Sequence, residues 1–307
     1  MTDIDRRLDK LSPAKRRLLE QLLDKKRKAA AAEDAIINEG DFAFDGDKLR
    51  DKEEVRRFYD SVSRQLNQAD FARFSIFLNY GYVPNDNPQH SPVELPAQTL
   101  NKNTTRLILE LIGDCELTPQ STLLDVGCGR GGTIRVIREH FEVGSVMGVD
   151  LAPAAIEFCR QTHTYANTRF EIGDAENLPV EDRSIDVVTN VESSHCYPNI
   201  GAFYTEVRRV LRPQGRFLYT DLIATEELSE HRQMLKDSGF VIEHRRDITS
   251  NVLLSCDETA ARNARAFSDA NDSGIMGNFL GLPDTGLYSA MKNGYQKYML
   301  YRFCKQL

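Results

Sequence analysis

Nowhere among the 307 residues does the chain hold the uninterrupted apolar run of about 18 that a membrane-spanning helix needs. Met1 opens no charged-then-apolar leader either. The sequence therefore predicts neither a spanning protein nor a secreted one. Its six cysteines, Cys115, Cys128, Cys159, Cys196, Cys256 and Cys304, form no C-x-x-C pair, so no zinc site and no disulfide framework is signalled. Reduced thiols and a cytoplasmic protein are the expectation. A surplus of positive charge is missing too: 39 basic residues face 46 acidic ones, for a net charge of -7. That argues against nucleic acid as a partner, which calls for a basic face to offset phosphates. Internal repeats and low-complexity runs are absent, which excludes solenoids, and no metal-ligand set is defined.

What is there is a strand, a glycine bend and a helix. Thr122 to Val126 is an apolar run, Gly127, Gly129 and Gly132 force a tight turn, and Thr133 to His140 carries Ile134 and Ile137 at helical spacing. Glycines without a Cβ let backbone and ligand approach closely, and the first N–H groups of the helix point into the gap. Asp150 closes the next apolar strand at the place where an acidic side chain meets ribose hydroxyls. Taken alone, G-x-G-x-x-G with that acid equally fits a nicotinamide-dependent oxidoreductase. Two further features favour another ligand. Asp125, inside the strand, would repel a pyrophosphate but suits a cationic amino acid, and Gly173-Asp174-Ala175-Glu176 sets a third acidic corner beside an adenine edge.

In this order Leu124-Asp125-Val126-Gly127-Cys128-Gly129, Val149-Asp150-Leu151, Gly173-Asp174-Ala175 and Leu211-Arg212-Pro213-Gln214-Gly215 resemble the successive motifs of class I S-adenosylmethionine-dependent methyltransferases, over roughly residues 100–250. The resemblance implies a Rossmann-like α/β fold: a mostly parallel sheet with an antiparallel last strand, under a helical N-terminal lid. It also implies S-adenosylmethionine as cofactor, with Asp125, Gly127, Gly129, Asp150, Leu151, Asp174, Ala175 and Asn190 as its contacts and no metal. Phe77-Leu78-Asn79-Tyr80-Gly81-Tyr82 is similar to the Asn-x-Gly-Tyr box of methyltransferases acting on polyketides and related lipids, where an aromatic covers the sulfonium end of the cofactor. Tyr80 or Tyr82 fits that role, by cation-π and hydroxyl contact.

Along the chain, residues 1–35 predict an amphipathic helix with Ser12 as cap, Pro13 in its first turn and a leucine stripe among basic residues. Packing on the domain accounts for such a stripe. Leu11-Ser12-Pro13-Ala14-Lys15-Arg16-Arg17-Leu18-Leu19 is also similar to segments that begin condensation modules of nonribosomal peptide synthetases, implying an assembly-line partner. Residues 36–99 form the lid region, with helical signals from Lys48 to Asn79 and a proline-interrupted loop from Val83 to Gln98. Residues 100–307 alternate helix and strand as a doubly wound sheet does, with ligands at the strands' carboxyl ends. An irregular substrate-side insertion is expected at about 250–293, and Tyr295 to Cys304 closes the sheet, antiparallel by family analogy.

The segment Asn190-Val191-Glu192-Ser193-Ser194-His195-Cys196-Tyr197-Pro198 follows the strand Ile185 to Thr189. Methyl transfer needs alignment and, for a hydroxyl acceptor, a route for its proton. His195, with an ordinary pKa of about 6.5, is the candidate base. Glu192 and Asp221 are both candidates for the carboxylate that orients it, and Asp257 and Glu258 are further acids in the insertion. The resemblance to assembly-line O-methyltransferases, where a His and Glu pair removes the proton, implies O-methylation of a hydroxyl on a polyketide, peptide or lipid-like small molecule, free or tethered to a carrier protein. C- or N-methylation and nicotinamide-dependent oxidoreduction are the alternatives.

Overall fold

The computed structural model describes residues 44–45, 48–49, 51–68, 75–85, 94–96, 98–266, 277–278 and 280–306. The N-terminal amphipathic stretch at 1–35, with its similarity to condensation modules, lies outside them. Two short paired strands, β1 (Phe44–Asp45) and β2 (Lys48–Leu49), precede helix α1 (Lys52–Gln68). Then follow α2 (Lys102–Ile112), β3 (Thr122–Val126), α3 (Gly132–His140), β4 (Ser145–Asp150), α4 (Pro153–Thr162), β5 (Thr168–Ile172) and β6 (Ile185–Val191). The chain continues through α5 (Ile200–Val210), β7 (Leu211–Ala224), α6 (Leu228–Asp237), β8 (Phe240–Asp247), α7 (Thr249–Ala266), α8 (Gly286–Lys292) and β9 (Gln296–Lys305).

Seven strands make one sheet in the order β5-β4-β3-β6-β7-β9-β8. All neighbours from β5 to β7 pair in parallel, and β9 runs antiparallel to both β7 and β8, as expected for the last strand. Central parallel strands are covered on both faces, so their sequences are apolar without alternation. Leu123, Val146 and Val187 pack on one face, with α2, α3 and α4. Leu124, Met147 and Val188 pack on the other, with Phe203, Val207 and Val210 of α5. The strand order reverses between β3 and β6, which opens a crevice at their carboxyl ends, the usual ligand position in such sheets.

Two expectations are corrected. Among the described residues the helical reading of Lys48 to Asn79 holds over α1, while Lys48–Leu49 form β2 and residues 75–80 carry no regular structure. The stretch expected to be irregular at 250–293 contains two helices, α7 and α8. The cause is a local cap: Asp247 Oδ1 accepts from the Thr249 N–H at 3.0 Å and its hydroxyl at 2.5 Å. Beyond it, Val252 and Cys256 are buried, and Thr249–Ala266 contains neither glycine nor proline.

Arg130 braces the region above the glycine bend. Its guanidinium is fully buried over the Phe158 ring, 3.6 Å from the centroid. It donates to the Ser75 carbonyl at 2.5 Å and to Asn67 Oδ1 at 2.6 Å. One side chain thus fastens the end of α1 and the 75–80 segment to the sheet's switch point.

Candidate active site

Gly127 and Gly129 adopt φ of 66° and 51°, the left-handed region that glycine enters freely. A Cβ at Gly127 would stand 2.3 Å from Ser193 Oγ and 2.6 Å from the Tyr197 hydroxyl, so the bend packs directly on the segment after β6. Asp150, closing β4, accepts from the Gly129 N–H with Oδ2 at 2.7 Å and from the Ala152 N–H with Oδ1 at 2.8 Å. Both oxygens keep lone pairs for a ligand. After β5, Lys52 Nζ of α1 meets Asp174 Oδ2 at 2.6 Å and Glu176 Oε2 at 2.7 Å.

These strand ends and the 75–80 segment enclose a cavity of about 1120 Å³, solvent at its mouth included. Of the residues singled out in the sequence, Tyr80, Gly127, Gly129, Asp150, Leu151, Asp174, Ala175, Glu192 and His195 line it. Asp125 and Asn190 stand one layer behind, and Asp221 beneath His195. Asp125 is 1% exposed; Oδ1 accepts from the Thr189 hydroxyl at 2.7 Å, while Oδ2 has no partner among the described residues. Burial pushes its carboxyl up to about 7. Asn190 Nδ2 donates to the Val126 carbonyl at 2.9 Å and leaves Oδ1 without a partner among the described residues. Tyr82 does not line the cavity: it is buried, and its hydroxyl accepts from Arg246 at 2.8 Å. Of the two tyrosines weighed for the site, Tyr80 is the one that lines the cavity.

The choice between carboxylates for His195 resolves in favour of Asp221. His195 sits on a 3-10 turn, Ser194–Cys196, and its Nδ1 lies 2.7 Å from Asp221 Oδ1. Asp221 is fully buried; Oδ2 accepts from the Ser194 N–H at 2.8 Å and hydroxyl at 2.6 Å, and Oδ1 from the Leu222 N–H at 2.8 Å. Burial alone would raise this carboxyl, but His195, the Ser194 hydroxyl and the Leu222 N–H outweigh it and hold it below the usual range. Burial likewise opposes the imidazolium, yet Cys196 and Asp221 beside it raise His195 well above 6.5.

Glu192, expected as an alternative partner, instead binds Tyr80 and Tyr298. Its Oε1 accepts from the Tyr80 N–H at 2.8 Å and from the Tyr298 hydroxyl, while burial pushes its carboxyl up to about 8. It does so with φ of 47°, a conformation costly for any side chain bearing a Cβ. Asp257 and Glu258 are not in the cavity wall: Asp257 accepts from the Tyr288 hydroxyl, and Glu258 from the Asn103 amide. Lys52, Tyr59, Ser193, Cys196 and Tyr197 line the cavity without having been singled out. Lys52 and Tyr59 of α1 carry no motif, and the crowding at Gly127 is what marks Ser193 and Tyr197. All six cysteines are free, and no metal-binding cluster occurs among the described residues.

The donor set suits a cationic nucleoside rather than a diphosphate. Asp150, Asp174, Glu176 and Glu192 face the cavity with Asp125 behind, and the unpartnered Asp125 oxygen would gain from a nearby positive charge. The cations in its wall are committed: Arg130 to Ser75 and Asn67, Lys52 to two carboxylates, Arg56 to Glu53 and His195 to Asp221.

A switch-point pocket on a seven-stranded sheet, walled by acids, defines a nucleoside-cofactor enzyme. Residues 117–265 match the family model of a methyltransferase domain. The fatty-acid O-methyltransferase of Mycolicibacterium smegmatis is 36% identical over 195 residues, covering 64% of this chain and 69% of that protein. The phthiotriol/phenolphthiotriol dimycocerosates methyltransferase 1 of Mycobacterium ulcerans is 33% identical, covering 81% and 89%. Among solved structures, the [4+2]-cyclase SpnF matches with a TM-score of 0.63 at 20% identity, over 83% of this chain and 96% of that one. A geranyl diphosphate methyltransferase in complex with SAM matches at 0.56 and 20%, over 75% and 98%; both likenesses concern the fold. The chain belongs to the class I S-adenosylmethionine-dependent methyltransferases. It is an enzyme of that cofactor, and the oxidoreductase alternative for the same glycines is set aside.

Proposed function

We propose that the chain methylates an oxygen of a lipid-like acceptor, with His195 receiving the acceptor's proton. The observation that carries this reading is the His195–Asp221 pair in the cavity wall, 2.7 Å apart with the carboxylate fully buried. When bound, S-adenosylmethionine supplies an electrophilic methyl group on a sulfonium. Asp150, Asp174 and the glycine bend hold the nucleoside and amino-acid portions. Asp221 keeps a proton on Nδ1, which leaves Nε2 of neutral His195 free to accept a proton from an acceptor hydroxyl. The names of the relatives support a lipid acceptor, since two of them act on a fatty acid and on phthiotriol dimycocerosates. Ile76, Phe77, Leu78, Val55 and Val191 in the wall supply apolar surface for such a chain.

A fatty carboxylate is a second acceptor, favoured by the named fatty-acid relative and by the raised His195. An ionised carboxylate needs no base, and an imidazolium would bind it. Incubation with the methyl donor and either a long-chain alcohol or a long-chain acid, followed by mass spectrometry, separates the two. Loss of alcohol methylation in His195→Ala supports the hydroxyl reading; undiminished turnover removes it. Tethering of the acceptor to a carrier protein belongs to the same proposal, tested by comparing free and carrier-bound acceptors. C- or N-methylation would appear as a product resistant to ester or ether cleavage.

A further inference from the structure

Behind Asp221 the polar contacts do not stop. The Ser194 hydroxyl, 2.6 Å from Asp221 Oδ2, lies 2.8 Å from the Tyr219 hydroxyl. Tyr219 in turn lies 3.2 Å from His231 Nε2, and the Tyr204 hydroxyl lies 2.5 Å from the same nitrogen. Ser194, Tyr204, Tyr219 and His231 are all buried. The chain of contacts joins the 3-10 turn, β7, α5 and α6, and none of Tyr204, Tyr219 and His231 lines the cavity.

We propose that His231 is a positioning residue for methyl transfer, acting through Tyr219 and Ser194 to fix the Asp221 carboxylate and with it the ring of His195. The hydrogen directions follow from the one full charge in the set. Asp221 accepts, so the Ser194 hydroxyl donates to it, the Ser194 oxygen accepts from Tyr219, and the Tyr219 oxygen is left to accept from the His231 N–H. The one Nε2 hydrogen is shared, in a three-centre bond, between the Tyr219 oxygen at 3.2 Å and the Tyr204 oxygen at 2.5 Å. Each link holds the next in one orientation, in a core face where a freed hydroxyl finds no water. Without the far end the Ser194 hydroxyl can turn away from Oδ2; Asp221 keeps the N–H groups of Ser194, His195 and Leu222 but loses its hydroxyl donor, so the carboxylate is held less firmly in the plane that meets Nδ1. His195 then loses part of its charge support and its fixed tautomer.

This inference rests on His195 acting as the base, but its test does not depend on turnover. The full-length protein, without ligand, is labelled with 15N-histidine and titrated by NMR, the His195 signal being identified by its loss in His195→Ala. Other groups facing that ring are Cys196 on its own turn and Glu192 from the end of β6, with Tyr59 of α1 against Cys196. They are the same in every variant compared. Tyr219→Phe keeps the aromatic packing and removes only the hydroxyl; His231→Phe removes the donor, and His231→Gln retains one. In Tyr219→Phe and His231→Phe the His195 midpoint should fall by about one pH unit and the ring should populate both tautomers, with His231→Gln close to wild type. The acid limb of kcat should move with it while KM for the methyl donor stays unchanged. An unchanged midpoint and a single tautomer in folded Tyr219→Phe overturn the proposal, whatever the acceptor proves to be. Undiminished turnover in His195→Ala, by contrast, overturns the base and not this chain of contacts.

Discussion

At the scale of residues, three buried acids govern how the site responds to pH. Asp125 and Glu192 are raised to about 7 and about 8 from 3.8 and 4.5 by burial. A group raised in the folded state contributes stability that is complete below its unfolded pKa and lost as pH climbs through the folded one. The melting temperature of the ligand-free protein should therefore fall between about pH 5 and 8. Asp125→Asn should flatten part of that slope, since the full shift corresponds to about 4 kcal/mol; a wild-type melting profile flat over this range would contradict the assignment. Asp221 has the opposite sign and acts through His195. The base is competent only when neutral, and its pKa is raised, so turnover of a hydroxyl acceptor should rise with pH through a midpoint above 6.5. His195→Ala should lower kcat roughly 100- to 10,000-fold while calorimetry finds cofactor-product affinity unchanged. Asp221→Asn, which removes the charge that fixes the tautomer, should lose turnover within the same range.

At the scale of elements, the region above the glycine bend is held by two side chains from opposite directions. Arg130 reaches up to Ser75 and Asn67, and Glu192 reaches across to Tyr80. Arg130→Met keeps the stem over Phe158 but takes the donor from the Ser75 and Ser63 carbonyls and from Asn67 Oδ1, at about 1–3 kcal/mol for each that stays dry and unpaired. Hydrogen exchange should then accelerate across α1 and residues 75–85 while β3 and β4 stay protected; uniform exchange would mean that Arg130 braces the whole core instead. The strand ends that line the cavity were legible in the sequence because their pattern is local. Glycines, a strand and the acid that follows it lie within a few positions of one another, as in Gly127 with Asp125 and Asp174 with Ala175. His195 was legible by its place at a strand end. Its partner was not, because Glu192 and Asp221 differ only in direction: one belongs to a residue with φ of 47° turned toward Tyr80, the other to a strand interior beneath the ring. The helix α7 was obscured by the glycines that follow it, although Asp247 and Thr249 already spelled its cap.

At the scale of the whole molecule, the switch point between β3 and β6 gathers four strand ends, α1 and residues 76–80 around one cavity, and the acids at those ends decide which ligand it accepts. Their sign is the central claim. Calorimetric titration of the full chain with S-adenosylhomocysteine is its most direct test, because no acceptor has to be known. Wild type should bind the nucleoside, more tightly as pH rises from about 6 to 8 and Asp125 and Glu192 ionise around the ligand's ammonium group, and Asp150→Ala should lose most of that affinity. Binding of a reduced nicotinamide dinucleotide in its place, or S-adenosylhomocysteine affinity untouched by Asp150→Ala, would contradict it.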